Sequence, residues 1–259
     1  MTLTQFLNSV ATTTEGLKAH IPDSWMQGRS TYGGLQAVLA AKAMQPLSDG
    51  LPIRTLQATL IAPVEGEVEC RAELIRSSKN TRQIRVELIK DEQLHATFMG
   101  IFGRPRESVV NMVRARQVSA DKSLVWPYME GISPAFLQNL EVCMLKGNPV
   151  GSGQHDCEQL YRLALKDEAP STELEHVLAL ADFPPPIGLS WPKGFKPGST
   201  MTWMLNFTSE PVSGHALNDW ECEVVLDAAS DGYTHQTVSL YAPNGNLLLR
   251  GTQCMVVFG

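Results

Sequence analysis

The pattern of apolar and polar residues predicts a buried helix followed by an antiparallel meander. Segment 32–44, YGGLQAVLAAKAM, is rich in alanine and leucine, which favour helix, and is apolar around nearly its whole circumference apart from Gln36 and Lys42. Residues 67–74, EVECRAEL, alternate strictly between polar and apolar, as in a strand with one buried face. Further strands are expected at 53–62, 81–90 and 94–102. A long buried helix followed by such a meander predicts a sheet wrapped around a helix.

The second half of the chain repeats this meander. Three positions mark the repeat: Pro63 and Pro211 (211 − 63 = 148), Val86 and Val238 (238 − 86 = 152), Gly103 and Gly259 (259 − 103 = 156). The offset drifts because loops lengthen while strands keep their length. A shorter second helix is predicted at 173–181, ended by the prolines at 184–186, after first strands at 136–146 and 158–166. We therefore predict an N-terminal unit (1–103), a crossover linker (104–131) and a C-terminal unit (132–259).

Composition limits the class of protein without identifying it. A chain of 259 residues, 43% hydrophobic and 19% charged, can bury a large core. It has neither a long apolar stretch nor a basic segment before an apolar run at the N-terminus, so we expect no membrane association, no signal peptide and a cytoplasmic location. Five scattered cysteines without a C-x-x-C motif predict neither a disulfide framework nor a metal site. The net charge of −6 disfavours nucleic acid as a partner.

Motifs of common enzyme classes are missing, and one basic cluster is a candidate for phosphate binding. The run GLSWP at 188–192 breaks the G-x-S-x-G pattern at its last position, and neither G-x-G-x-x-G nor G-x-x-x-x-G-K-[ST] occurs. Arg76, Lys79 and Arg82 cluster, with Arg85, around the hairpin between the second and third strands. Basic hairpins are usually only solvated, but these side chains could also bind phosphate groups.

Four segments together resemble a known family. GRSTYGGL at 28–35, PVEG at 63–66, STMTW at 199–203 and GTQ at 251–253 look like the acyl-CoA thioesterase II type of double hotdog protein. The resemblance covers essentially the whole chain in the right order. It implies an α+β double hotdog fold, in which two tandem hotdog units each wrap an antiparallel sheet around a long helix. It also implies further association into a homo-oligomer, a dimer of double hotdogs.

The resemblance implies hydrolysis of acyl-CoA to free CoA and a carboxylic acid, without a cofactor and without a covalent enzyme nucleophile. With such a substrate, Arg76, Lys79 and Arg82 could bind the phosphates of CoA. In the family, a carboxylate, a hydroxyl and a side-chain amide hold and activate the attacking water, and the matching positions here are Asp182, Thr200 and Gln253. The developing oxyanion needs donors. We expect backbone N–H groups around Tyr32, Gly33 and Gly34 to supply them, because unpaired donors and the helix dipole favour negative charge there. The first half lacks an equivalent acid, so one site per chain is predicted.

Each assignment has a plainer alternative. Asp182 could be a solvated residue at a helix end, Thr200 an ordinary strand threonine, Gln253 a polar group of an edge strand, and the Gly33–Gly34 pair a close-packing device. Two other functions also remain open. Hotdog enoyl-CoA hydratases usually need an Asp and His pair, and no histidine neighbours Asp182 in the sequence. A non-catalytic acyl-CoA-binding hotdog protein would bind the thioester without releasing thiol.

Overall fold

The computed structural model of the protein describes residues 1–117 and 124–258. Within them lie three α-helices, α1 (Leu3–Ser9), α2 (Gly33–Met44) and α3 (Leu174–Ala181). The strands are β1 (Ala11–Thr12), β2 (Gly16–His20), β3 (Met26–Gln27), β4 (Ser30–Thr31), β5 (Ile53–Leu60), β6 (Glu67–Ser77), β7 (Thr81–Lys90), β8 (Gln93–Gly103), β9 (Leu124–Val125), β10 (Leu140–Lys146), β11 (Glu158–Leu165), β12 (Gly198–Phe207), β13 (Trp220–Ser230), β14 (Tyr233–Tyr241) and β15 (Leu247–Val257).

The larger sheet is antiparallel and runs across both units. Its thirteen strands follow the order β1-β2-β6-β7-β8-β5-β12-β15-β14-β13-β11-β10-β9, while β3 and β4 form a separate hairpin. The two meanders join where β5 pairs with β12, with Gln57 opposite Met204 near the middle of the seam. The predicted α+β double hotdog is thus confirmed, and the pairing of β5 with β12 joins its two units. Such pairing removes an exposed edge from each unit.

The central helices lie in the concavity of this sheet and pack against each other. Helix α2 contacts β6, β7 and β8, and all its residues except Lys42 are buried. Its apolar composition therefore reflects contacts on every side. Helix α3 has only eight residues, because the prolines after Phe183 lack the N–H groups that would continue it. The C-terminus of α3 reaches the N-terminus of α2, which brings the two units into contact.

Strands β5 and β12 correspond to each other with an offset that is one residue smaller than the sequence repeat indicates. The offset of 148 at the Pro-Val pairs would equate Leu56 with Met204. The buried positions are instead Leu56 and Ala58 in β5, and Trp203 and Leu205 in β12, an offset of 203 − 56 = 147. The additional residue of the second half lies in the loop that follows β12. Because side chains alternate between the two faces of a strand, this single residue decides which side chains enter the core.

The described part of the linker, residues 104–117 and 124–131, contains no helix. Ala115 forms a β-bridge with Asn246, and the short strand β9 pairs with β10. Residues 118–123 of the linker and Gly259, the end of the predicted repeat, lie outside the described residues. Segment Ala135–Asn139 forms a 3-10 turn, so the strand predicted from residue 136 begins only at Leu140. The unit boundaries themselves stay a prediction.

The five cysteines are free thiols. No helix in the described part of the chain is long and apolar enough to cross a membrane. Among the same residues there is no group of three or more His, Cys, Asp or Glu side chains that could hold a metal ion.

Candidate active site

A cavity of about 160 Å³ lies where the N-terminus of α2 meets the C-terminus of α3. Both units contribute to it, and its wall is partly polar. The lining residues are Gln27, Ser30, Thr31, Gly33, Gln36, Leu60, Ile61, Ala62, Pro63, Asp182, Gly198, Ser199 and Thr200. Three of the residues proposed from the sequence, Gly33, Asp182 and Thr200, therefore face one cavity.

Asp182 is the residue that ends α3, and its carboxylate faces the start of α2. Its backbone leaves the helix at φ −90° and ψ 0°, and the residue is only 8% exposed. Oδ1 accepts a hydrogen bond from Gln253 Nε2 at 3.0 Å, and the carboxylate also accepts one from the backbone N–H of Gly34. A Cβ built on Gly33 would lie 2.7 Å from Asp182 Oδ2. A glycine at this position is what allows the carboxylate to approach the helix so closely.

Burial changes the acid strength of this carboxyl group. Desolvation raises the pKa of Asp182 from 3.8 to about 7, even though the hydrogen bonds from Gly34 and Gln253 act to lower it. Desolvation dominates because a charge in a poorly solvated site loses its interactions with water. A carboxyl group with a pKa near 7 can accept and return a proton at neutral pH, as a general base requires.

Gln253 is held in one orientation by a second glutamine. Gln236 Nε2 donates to Gln253 Oε1 at 2.9 Å, which leaves Gln253 Nε2 to donate to Asp182. The backbone N–H of Ile187 in turn donates to Gln236 Oε1 at 3.0 Å. Gln253 is 2% exposed and does not line the cavity, so it lies behind the carboxylate. The sequence reasoning missed Gln236; the available signal was an amide on the same face of strand β14 as Val238 and Leu240.

Thr200 reaches the cavity from the second strand of the seam. It is half-buried on β12, and the pairing with β15 is irregular between Thr200 and Thr202, as in a β-bulge. Bulges re-aim the side chains beside them. Among the described residues, the Thr200 hydroxyl hydrogen-bonds to neither Asp182 nor Gln253. The three residues thus converge on one place, but only Asp182 and Gln253 touch directly.

The three backbone N–H groups proposed for the oxyanion differ in availability. The N–H of Tyr32 donates to Trp25 O at 3.0 Å, and that of Gly34 to Asp182. The N–H of Gly33 has no acceptor among the described residues, and Gly33 lines the cavity. The Tyr32 hydroxyl donates to Ala179 O at 2.9 Å and so ties the two helices together. Burial raises the pKa of Tyr32 well above its usual value, so the hydroxyl stays protonated.

The hairpin that carries Arg76, Lys79 and Arg82 lies at the opposite end of the strands from the cavity. Thr81, at its tip, pairs with Gly103, which hydrogen-bonds to Pro52 just before β5, whereas the cavity begins at Leu60, where β5 ends. Eight residues of strand separate the two places, roughly 24 Å. Arg82 donates to Asp49 at 2.7 Å, while Arg76 and Lys79 are exposed. The structure therefore does not bring the three cations to the cavity.

The equivalent place in the first unit is apolar. Gln236 lies opposite Gln253 in the β14–β15 pair, and the corresponding pair of β7 and β8 is Ile84 and Gly100. The space beside Gly100 is filled by Met44, whose sulfur would lie 2.4 Å from a Cβ built there. Two apolar residues thus stand where the second unit has two amides. This difference agrees with one site per chain.

Two tandem hotdog units with one polar site between their helices define the class of protein. The chain belongs to the acyl-CoA thioesterase family: residues 21–103 match the model of the acyl-CoA thioesterase N-terminal domain, and residues 113–257 that of the C-terminal domain. The family predicted from the sequence is thus confirmed. Comparison with curated protein sequences gives no match.

Solved structures share the fold over nearly the whole chain. A hot dog fold protein of unknown function from Alicyclobacillus acidocaldarius is 18% identical, with a TM-score of 0.84 over 98% of this chain and 97% of that one. A candidate thioesterase II from Thermobifida fusca is 14% identical, with a TM-score of 0.81 over 100% and 98%. An acyl-CoA thioesterase II from Mycobacterium marinum is 10% identical, with a TM-score of 0.71 over 95% and 94%. At these identities the likeness concerns the fold alone.

Proposed function

We propose that this chain hydrolyses acyl-CoA thioesters by direct attack of water. The observation that carries the proposal is the buried carboxylate of Asp182, with a pKa of about 7, on the wall of a cavity at the junction of two helices. Water adds to the thioester carbonyl carbon, the carbon–sulfur bond breaks, and the products are a carboxylic acid and free CoA. Family membership supports acyl-CoA as the substrate.

Asp182 is the proposed general base. Its carboxylate takes a proton from the water as the new carbon–oxygen bond forms, and returns a proton to the departing CoA sulfur when the tetrahedral intermediate collapses. The Thr200 hydroxyl, on a residue that lines the same cavity, positions the water. The Gly33 N–H, at the positive end of the α2 dipole, donates to the oxygen that becomes negative in the intermediate.

Gln253 acts through Asp182. Because its amide touches the carboxylate and not the cavity, it holds the carboxylate in place through Oδ1. The Gln236 amide fixes Gln253 in turn. We therefore assign Gln253 and Gln236 as positioning residues, and expect the effect of a change at Gln253 to disappear once Asp182 no longer carries a negative charge.

Thiol release from acyl-CoA tests this proposal. Wild type should release CoA, and Asp182→Asn should lower kcat by roughly 10²–10⁴-fold, the usual contribution of a general base. Gln253→Ala should lower kcat in wild type but have little further effect beside Asp182→Asn. Asp231→Asn is a matched control, because Asp231 is exposed in a turn at φ 54°, a conformation that Asn also adopts. Full activity in a folded Asp182→Asn variant would remove Asp182 from the mechanism.

The same assays separate the two other functions. Tight binding of acyl-CoA without thiol release would identify a binding protein, and addition of water to crotonyl-CoA a hydratase. Within the part of the chain that the structure describes, the cavity wall contains no histidine to serve beside Asp182. The proposed dimer of double hotdogs is tested by the mass of the particle in light scattering, where a value near the 28.4 kDa of one chain would exclude it.

A further inference from the structure

One buried polar atom beside the proposed catalytic carboxylate has no partner. The side-chain amide oxygen of Gln36, on α2, accepts no hydrogen bond among the described residues. The residue is 3% exposed and lines the same cavity as Asp182. It is also the only buried polar side chain of a helix whose other buried residues are glycine or apolar. A buried acceptor left unpaired costs about 1–3 kcal/mol, so a donor is expected to reach it.

The orientation of the Gln36 amide is set by its other end. Nε2 donates to the backbone oxygen of Thr31 at 2.9 Å. The reverse orientation would place two acceptor oxygens against each other, since an amide oxygen cannot donate. The unpaired oxygen therefore cannot exchange places with the nitrogen. The group that pairs with it must come from the contents of the cavity and must carry an O–H or N–H.

The place of Gln36 relative to Gly33 indicates which part of a substrate could supply this donor. The two residues lie one turn apart on α2, and the Gln36 side chain turns back toward the start of the helix, where Nε2 reaches Thr31 O. The Gln36 amide therefore lies close to the start of the helix. If the thioester oxygen lies at the Gly33 N–H, a hydroxyl two or three carbons along the acyl chain is within reach of Oε1. The cavity volume of about 160 Å³ is close to the roughly 150 Å³ of a cavity that holds benzene, which is room for a short acyl group.

We propose that Gln36 selects short acyl groups that carry a hydroxyl near the thioester, by accepting a hydrogen bond from that hydroxyl at Oε1. The inference rests on the proposed function and names the substrate class of the same site. Ser30 and Thr31, which also line the cavity, add to a wall suited to a hydroxylated group and unsuited to a long alkyl chain. A site whose buried acceptor pairs with a substrate hydroxyl binds the analogue without this hydroxyl less well, because the acceptor is then left unpaired.

The test compares two substrates that differ only in the hydroxyl, butanoyl-CoA and 3-hydroxybutanoyl-CoA. Wild type should prefer the hydroxylated substrate by roughly tenfold or more in kcat/KM. Gln36→Met keeps the length of the side chain but removes the acceptor. It should lower kcat/KM for the hydroxylated substrate roughly tenfold or more beyond its effect on the plain substrate, which reports the loss of the hydrogen bond to Thr31 O. Gln45→Met, an exposed glutamine at the other end of α2, is the matched control and should change neither.

The opposite outcomes overturn the inference. Equal losses on both substrates would mean that the donor is an amide of the CoA moiety that both share, and equal wild-type rates would exclude any selection. Non-hydrolysable thioether analogues of the two substrates provide a second measurement on wild type alone, should the Gln36→Met variant not fold. Tighter binding of the hydroxylated analogue supports the inference, and equal binding refutes it. Since binding is read without turnover, a failure of the hydrolase proposal remains distinguishable.

Discussion

Replacing Asp182 by asparagine should stabilise the fold while it removes the activity. The carboxylate is buried, and burial raises its pKa from 3.8 to about 7, so the folded chain holds the charged form at a cost. In Asp182→Asn, the new side chain would keep an oxygen for the hydrogen bond from Gln253 Nε2 and would carry no charge. The variant thus removes the unfavourable burial of a charge without removing volume or the principal contact.

The magnitude follows from the two pKa values. A carboxyl whose pKa is 3.8 in the unfolded chain and about 7 in the folded one costs roughly 4 kcal/mol of folding free energy when fully ionised. The folded state binds the proton more tightly than the unfolded chain, so the free energy of unfolding of wild type decreases as pH rises from about 4 to 7. Between pH 5 and 7.5 this decrease amounts to about 2.5 kcal/mol.

Urea unfolding at several pH values measures the effect. The introduced amide does not titrate, so the difference in unfolding free energy between Asp182→Asn and wild type should grow in favour of the variant by about 2.5 kcal/mol from pH 5 to 7.5. All other groups titrate alike in the two proteins and cancel in the difference. Asp231→Asn should give a difference that does not change with pH in this window. A constant difference for Asp182→Asn as well would refute the burial of the charge and, with it, the origin of the raised pKa.

Three further outcomes are expected. The kcat/KM for thioester hydrolysis should rise about tenfold per pH unit below pH 7 and level off above it, because Asp182 must be ionised to act as a base; a profile that falls with pH would contradict this. Gly33→Ala should place a Cβ 2.7 Å from Asp182 Oδ2, displace the carboxylate and lower kcat by roughly tenfold or more, with the circular dichroism of the chain unchanged. Normal turnover would show that the reaction does not need the carboxylate against the first turn of α2. Tyr32→Phe should leave the Ala179 carbonyl without its donor, and should therefore lower the free energy of unfolding by roughly 1–3 kcal/mol while kcat is retained. Thermal or urea unfolding measures this change, and a loss of kcat alone would assign the hydroxyl to the reaction.

Much of the architecture was accessible from local patterns. Strict alternation predicted strand β6, and the all-round apolar segment predicted helix α2, because these periods depend only on which faces are buried. The repeat predicted two units with the same meander. The pattern did not give the start of every strand. A strand was predicted from residue 136, but this residue lies in a 3-10 turn. The prediction failed because a local pattern cannot distinguish a residue that is buried in a turn from one that is buried in a strand.

The site required contacts between distant parts of the chain. Resemblance to a family named Asp182, Thr200 and Gln253, but it did not indicate that Gln253 lies behind the carboxylate, or that Gln236 orients it. The basic hairpin with Lys79 looked suitable for phosphates in the sequence, and only the strand register places it at the far end of β5 from the cavity. Register is a property of paired strands, so a single segment cannot reveal it.

The sequence by itself determined the periodic elements, the duplication and the residue types available for chemistry, since these depend on neighbours along the chain. Only the tertiary structure decided which of these residues meet. Asp182 and Gln253 are 71 positions apart. The pKa of Asp182 is about 7 because residues from distant parts of the chain exclude water from its carboxyl group. In the sequence, Gln36 is only a polar residue within an apolar helix. The tertiary structure shows that it lines the cavity and that its amide oxygen has no partner among the described residues. Desolvation and hydrogen-bond partners depend on distances in space, which folding sets by joining segments far apart in the chain.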